Sequence, residues 1–594
     1  MARIEDYALI GDCETAALVS TTGSIDWLCF PRFDAPACFS ALLGTPEHGR
    51  WSLAPAASAT SVRRWYHGET LVLETEFTTS EGVASVIDFM AVRSRRPDLV
   101  RIVVGKRGQV RMRFELFPRF DYGTILPWIE REAHGVRMIG GPDSLMLRTP
   151  VVISEEGHGV VAEFVVSPGD RVPFDLTWFP SHEEAHTELH PERALSDTEG
   201  WWADWAARCA YQGPWRDAIV RSLVTLKALT YRPTGAIVAA PTTSLPERFG
   251  GVRNWDYRFC WLRDATFTLQ ALLNAGYTEE ARQWRAWLLR SVAGRPEQLQ
   301  IMYGITGERR LTELELPWLP GFADSRPVRI GNAASRQFQL DVFGEVLDAT
   351  HLTAEREPPE TRAWRIDRAL VDFVETVWRE PDEGIWEVRG PRRHFTHSKV
   401  MAWVAMDRAI KLVERFNLEG PVDRWRTVRD AIVEEVCTRG YDPALGAFVQ
   451  FYGSTQLDAS LLMIPLVGFL PVSDARVRGT IESIERQLSH AGFVSRYETV
   501  PEVDGLPRGE ASFLLCSFWL ADCLERLGRH DDACQLFERL LRVRNDVGLL
   551  AEGYDVQSRR LAGNFPQAFS HIGLINTAMS LARRGRPSVD HGTR

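Results

Sequence analysis

The 594-residue chain has no block of basic residues: 69 Lys and Arg stand against 79 Asp and Glu, a formal net charge of -10 spread along its length. A surface without a basic stripe cannot displace counterions from a phosphate backbone, so nucleic acid is not an expected partner. Nor is there an apolar run of about 18 residues, the length a helical membrane crossing needs. The opening MARIEDYALIGDCET carries acids where a secretory leader carries basic residues and then an apolar stretch. The expectation is a cytoplasmic protein with no membrane partner. Cysteines are few, nine between Cys13 and Cys534, with no C-x-x-C pair and no histidine cluster at metal-ligand spacing. Thiols are expected rather than disulfides, with no metal site and no cofactor. Nothing separates a monomer from a homo-oligomer.

At 45% hydrophobic and 25% charged, the composition is that of a globular protein. The length is too great for one core, so two domains or more are expected. Between about residues 60 and 185, short runs rich in Val, Ile and Phe alternate with Gly, Pro and charged turns, as in ASVIDFMAV, LVRIVV, VRMRFELF and GVVAEFVV. This is the spacing of an antiparallel β-sandwich. The aromatics of GSIDWLCFPRFDAPACFSALLG, residues 23–44, suit either a ligand pocket or packing.

A connecting helix is expected around WWADWAARCA, and from Trp215 onward helical periodicity takes over. In HSKVMAWVAMDRAIKLVERF, Val400, Trp403, Val404, Ile410 and Val413 recur at three- and four-residue steps, with Lys399, Asp407, Lys411 and Glu414 between them. Around a dozen such stretches, joined by longer polar and aromatic-rich loops between alternate pairs, suggest a closed array of helical hairpins. No fixed-period repeat argues for an open solenoid. The expected organisation is a multidomain α+β protein: an N-terminal β-sandwich at 1–200, a linker at 201–214, a helical domain at 215–585 and a tail at 586–594.

Four segments concentrate Trp, Tyr, Arg and carboxylates where helices begin or end. NWDYRFCWLRDATF, 254–267, gathers Asp256, Tyr257, Trp261, Arg263 and Asp264 at a helix start, where an Arg-Asp pair also serves as a cap. GIWEVRG, 384–390, sets Glu387 beside Trp386; an apolar setting disfavours the charged carboxylate and so suits a proton donor, although a solvent-facing glutamate reads the same way. VSRYETVPEVDGLPRGEASFLLCSFW, 494–519, carries Arg496 and Glu510, the latter equally a charge at a helix N-terminus. AEGYDVQSRRLAGNFPQAFSHIG, 551–573, places Glu552, Tyr554 and Asp555 before a Gly-Asn-Phe-Pro turn. Together they supply two separated carboxylates with aromatic and arginine side chains, the groups that hold a sugar ring and flank its glycosidic bond.

In this order, across 254–573, the four segments resemble glycoside hydrolase family fifteen, the glucoamylase and bacterial trehalase family. The resemblance implies an (α/α)6 barrel preceded by a β-sandwich. It also implies glucose-binding roles for Asp256, Tyr257, Trp261, Arg263 and Asp264, with Trp386 beside the acid. Glu387 then matches the general acid, Arg496 a substrate arginine and Glu552 the general base. Fungal glucoamylases carry a second Glu after the acid; Val388 stands there in this chain, which is similar to the trehalase-type branch. The implied activity is inverting exo-hydrolysis of a small α-glucoside, with α,α-trehalose the first choice and short α-1,4-glucans next. The alternatives are an inverting disaccharide phosphorylase, which lacks a base, and a non-catalytic glucan-binding protein, which would have lost a carboxylate.

Overall fold

The computed structural model describes residues 2–132, 135–184 and 189–582. The tail expected at 586–594 lies outside the described residues.

The N-terminal part is two antiparallel eight-stranded sheets. One contains Tyr7–Gly11, Ala16–Ser20, Ser24–Cys29, Arg50–Pro55, Val110–Phe117 and Gly159–Val166; the other runs from Trp128–Glu132 through Arg171–Pro180 and Asp98–Gly108 to Ser61–Tyr66. They face one another across an aromatic core in which Phe114 of the first stacks on Phe174 of the second, ring centroids 4.9 Å apart. Such a pair adds about 0.5–1.5 kcal/mol beyond the area it buries. The β-region therefore begins at Tyr7, well before residue 60. Tyr7–Gly11 and Ala16–Ser20 are buried on both faces, and a strand covered on both sides lacks the alternation that marks a half-exposed one. Trp27, Phe30, Phe33 and Phe39 of the 23–44 segment are buried in the core.

Helix Pro191–Ala206 spans the boundary expected at 200 rather than ending there. Its Ala194 and Leu195 cover Val72, Ile87, Phe89 and Val100 on the outside of the second sheet, while Trp205 stacks on Tyr277 of the helical part, centroids 4.2 Å apart.

The helices form two concentric layers. Asp264–Ala275 packs on Asp341–Ala354, which packs on Thr396–Phe416; the ring continues through the short turns Ala459–Leu462 and Met463–Leu466 to Leu514–Arg526 and Ala568–Ala582, and closes back on Asp264–Ala275. Alternating with these in sequence, one before each, are the outer helices Arg216–Ala228, Thr278–Val292, Thr361–Val377, Val422–Arg439, Ala475–Gln487 and His530–Arg542. This is an (α/α)6 barrel. Sequence separates the layers: inner Thr396–Phe416 is buried almost throughout, whereas outer His530–Arg542 buries only Ala533, Leu536, Phe537 and Leu540, one face at helical spacing. The stretch LDASLLMIPLVGFL forms short turns instead of a long helix, because Pro465 supplies no backbone donor and Gly468, at φ +79°, turns the chain.

Each of the first five inner elements leads to the next outer helix through a short connection, such as 276–277 or 527–529. Each outer helix returns through a long one: 229–263, 293–340, 378–395, 440–458, 488–513 and 543–567. The long loops therefore gather at one end of the barrel, and every candidate site residue lies in or immediately after one of them.

Candidate active site

Four of these loops, 229–263, 378–395, 488–513 and 543–567, line an open cavity. Tyr257, Arg263, Trp386, Glu387, Arg496 and Glu552 all line it. Sequence segments more than a hundred residues apart are thus brought onto one surface.

Glu552 is 3% exposed. Its Oε1 accepts the Tyr257 hydroxyl at 2.6 Å, and its Oε2 has no hydrogen-bond partner among the described residues. Gly563 stands at φ +79° where an added Cβ would run into the Glu552 carboxylate, so a glycine is needed for the glutamate to fit. Burial and the nearby Glu247 push the Glu552 carboxyl up to about 8, against the opposing effects of Arg496 and the Tyr257 hydroxyl.

Glu387 sits in a turn that its N–H closes onto the Gly384 carbonyl at 3.2 Å, and its own φ is +56°. A non-glycine residue in that region stores strain, which the surroundings must hold. They do: Arg263 Nη1 donates to the Ile385 carbonyl at 2.8 Å and Gln337 Nε2 to the Val388 carbonyl at 3.0 Å. The carboxylate accepts the Trp261 indole N–H at 2.6 Å and Arg263 Nη1 at 3.3 Å. Its partners thus include an N–H dipole and a cation, beyond the apolar and aromatic neighbours expected from GIWEVRG. Tyr257 and Trp261 meet edge to face at 5.2 Å, so one connected series, Glu552–Tyr257–Trp261–Glu387, joins the two carboxylates.

Arg263 lies over Phe569 at 5.4 Å and donates through Nε to Asp264 at 3.2 Å. Asp264 stands behind it and does not line the cavity; burial pushes its carboxyl up to about 6, eased by Arg263. Arg496 is gripped by Glu247, at 2.6 Å, and by both oxygens of Glu510, and its guanidinium lies 5.5 Å from the Trp386 ring. Glu510 is therefore an arginine clamp, not a helix-end charge. Trp386 is fixed in turn by its indole N–H on Asp458 at 2.9 Å. Asp256 is wholly buried and absent from the cavity wall, with its carboxylate closed on Arg258.

Sequence reasoning did not single out Glu247, Trp255, Arg389 or Asp458. The guanidinium groups of Arg329 and Arg389 both lie over the Trp255 ring, at 4.6 and 4.7 Å, and Trp255 and Val388 line the cavity. Among the described residues no group of three or more His, Cys, Asp or Glu could hold a metal ion, and no helix is long and apolar enough to cross a membrane.

A carboxyl pair on one cavity, each held by oriented donors and flanked by aromatic faces and arginines, is what cleavage of a glycosidic bond requires. The sequence comparisons agree. The family model for glycosyl hydrolases family 15 matches residues 213–579, and a trehalase-like N-terminal model matches residues 1–198. The chain belongs to glycosyl hydrolases family 15 and is a glycoside hydrolase. Within the family its likeness is to the trehalases. It is 40% identical to the trehalase of Mycobacterium tuberculosis, over 98% of this chain and 90% of that protein. It is 33% identical to the trehalase of Thermoplasma volcanium, over 98% and 93%. Its fold is similar to a bacterial glucoamylase solved with acarbose, with a TM-score of 0.73 at 11% identity, covering 98% of this chain and 94% of that one.

Proposed function

We propose that the chain hydrolyses a terminal α-glucosyl bond with inversion, taking α,α-trehalose first and short α-1,4-glucans after it. Glu387 protonates the departing oxygen, and Glu552 takes a proton from the water that attacks the opposite face of the ring. The observation that carries the reading is that Glu387 and Glu552 line one cavity and are linked through Tyr257 and Trp261. The trehalases among its relatives support the substrate. Arg263 and Arg496, presented by Asp264 and by Glu247 with Glu510, hold the sugar hydroxyls, and Trp386 packs against the ring. The nine cysteines, all free thiols and seven of them buried, support a reducing, cytoplasmic compartment.

A panel of trehalose, maltose, isomaltose and maltotriose, assayed for glucose with and without phosphate, tests this. Trehalose should turn over fastest, equally well without phosphate. Turnover that needs phosphate and yields a glucose phosphate would make the chain a phosphorylase, and preference for maltotriose would make it a glucan glucosidase.

Asp264→Ala should lower kcat/KM by about 10- to 10²-fold, because Arg263 loses its oriented partner and a hydrogen bond to a charged group is worth about 1.5–3 kcal/mol. Steady-state kinetics on a variant with native circular dichroism checks it. Near wild-type kinetics would return the Arg263–Asp264 pair to a helix-end role.

A further inference from the structure

Asp256 and Arg258 flank Tyr257, whose hydroxyl meets Glu552. The Asp256 carboxylate accepts Arg258 Nε at 2.9 Å and Nη2 at 2.7 Å, together with the backbone N–H groups of Arg258 at 3.1 Å and Gly331 at 3.0 Å. The third guanidinium nitrogen leaves the barrel: Arg258 Nη1 donates to the carbonyl of Ala35 in the β-sandwich at 3.0 Å. The same guanidinium lies 5.5 Å from the Tyr122 ring and 5.9 Å from Trp27, both sandwich residues. Trp27 closes the circuit by donating its indole N–H to the carbonyl of Pro241, in the loop that carries Tyr257, at 2.7 Å. Arg258 is 2% exposed and Asp256 0%, so neither has water to fall back on.

We infer that the β-sandwich is a working part of the active site: through Arg258 it locks the Asp256–Arg258 segment and so aims the Tyr257 hydroxyl at Glu552. Arg258 is a positioning residue; it does not line the cavity. Only a planar fork with several donors can serve Asp256 bidentately and still reach the Ala35 carbonyl; a lysine keeps the charge and loses the geometry. The inference rests on the reading of Glu552 as the base.

The test uses the acid limb of kcat/KM. The charged and titratable groups acting on Glu552 are Tyr257 and Glu247 from loop 229–263 and Arg496 and Glu510 from loop 488–513. Burial and the two glutamates raise its pKa, while Arg496 and the Tyr257 hydrogen bond lower it. A base must be ionised to act, so kcat/KM falls as pH drops through the Glu552 pKa. Tyr257→Phe should move that limb to higher pH. Arg258→Lys, in the full chain, should move it in the same direction and lower kcat several-fold with little change in KM. In the Tyr257→Phe background, Arg258→Lys should add no further shift. Trp27→Phe, which weakens the lock from the sandwich side, should shift the limb the same way and serves where Arg258→Lys does not fold. If Tyr257→Phe moves the limb and neither lock variant does, or if the shifts add in the double variant, the inference is overturned. If Tyr257→Phe itself leaves the limb in place, the reading of Glu552 falls instead.

Discussion

Glu552→Gln is expected to lose hydrolysis of trehalose and of α-glucosyl fluoride alike, each by about 10²–10⁴-fold in kcat, the usual contribution of a positioned acid or base. A water nucleophile must shed a proton whatever group departs, and glutamine cannot take it. Glutamine can still accept the Tyr257 hydroxyl at the Oε1 position, so the variant should fold with its pocket intact. Near-UV circular dichroism confirms the fold, and glucose and fluoride release measure the loss.

Glu387→Gln should behave differently on the two substrates. On trehalose the departing sugar oxygen needs a proton, and kcat/KM should drop by about 10²–10⁴-fold. Fluoride leaves with little help, so the variant should keep much of its activity on α-glucosyl fluoride. The comparison is pointed here because the resting site holds Glu387 against a cation and an indole N–H while burial favours a neutral Glu552. If Glu387→Gln lost the fluoride reaction and Glu552→Gln kept it, the acid and base would have to be exchanged.

The sequence made the helical layers legible because helix burial is periodic, and it exposed the site segments because they pack Trp, Tyr, Arg and carboxylates into short stretches at helix ends. Arg263, Trp386, Arg496 and the two glutamates all reach the cavity. Pairings across long separations were not legible. Glu247 grips Arg496 from 249 residues away, and Asp458 holds Trp386 from 72. A lone Glu in LPERFG or Asp in QLDAS carries no local pattern that announces such a partner. Asp256 shows the converse: it stands amid site residues in sequence, yet its side chain turns to Arg258, which in turn reaches the sandwich. The first strands were hidden for a third reason, since burial on both faces removes their alternation.

The early products of trehalose hydrolysis test the central claim most directly. Inversion at the attacked carbon releases β-glucose, while the untouched half leaves as α-glucose, so proton NMR spectra recorded before mutarotation should show the two anomers in equal amounts. Spectra containing only the α-anomer would mean retention, and with it a mechanism in which Glu387 and Glu552 do not act as acid and base across a water.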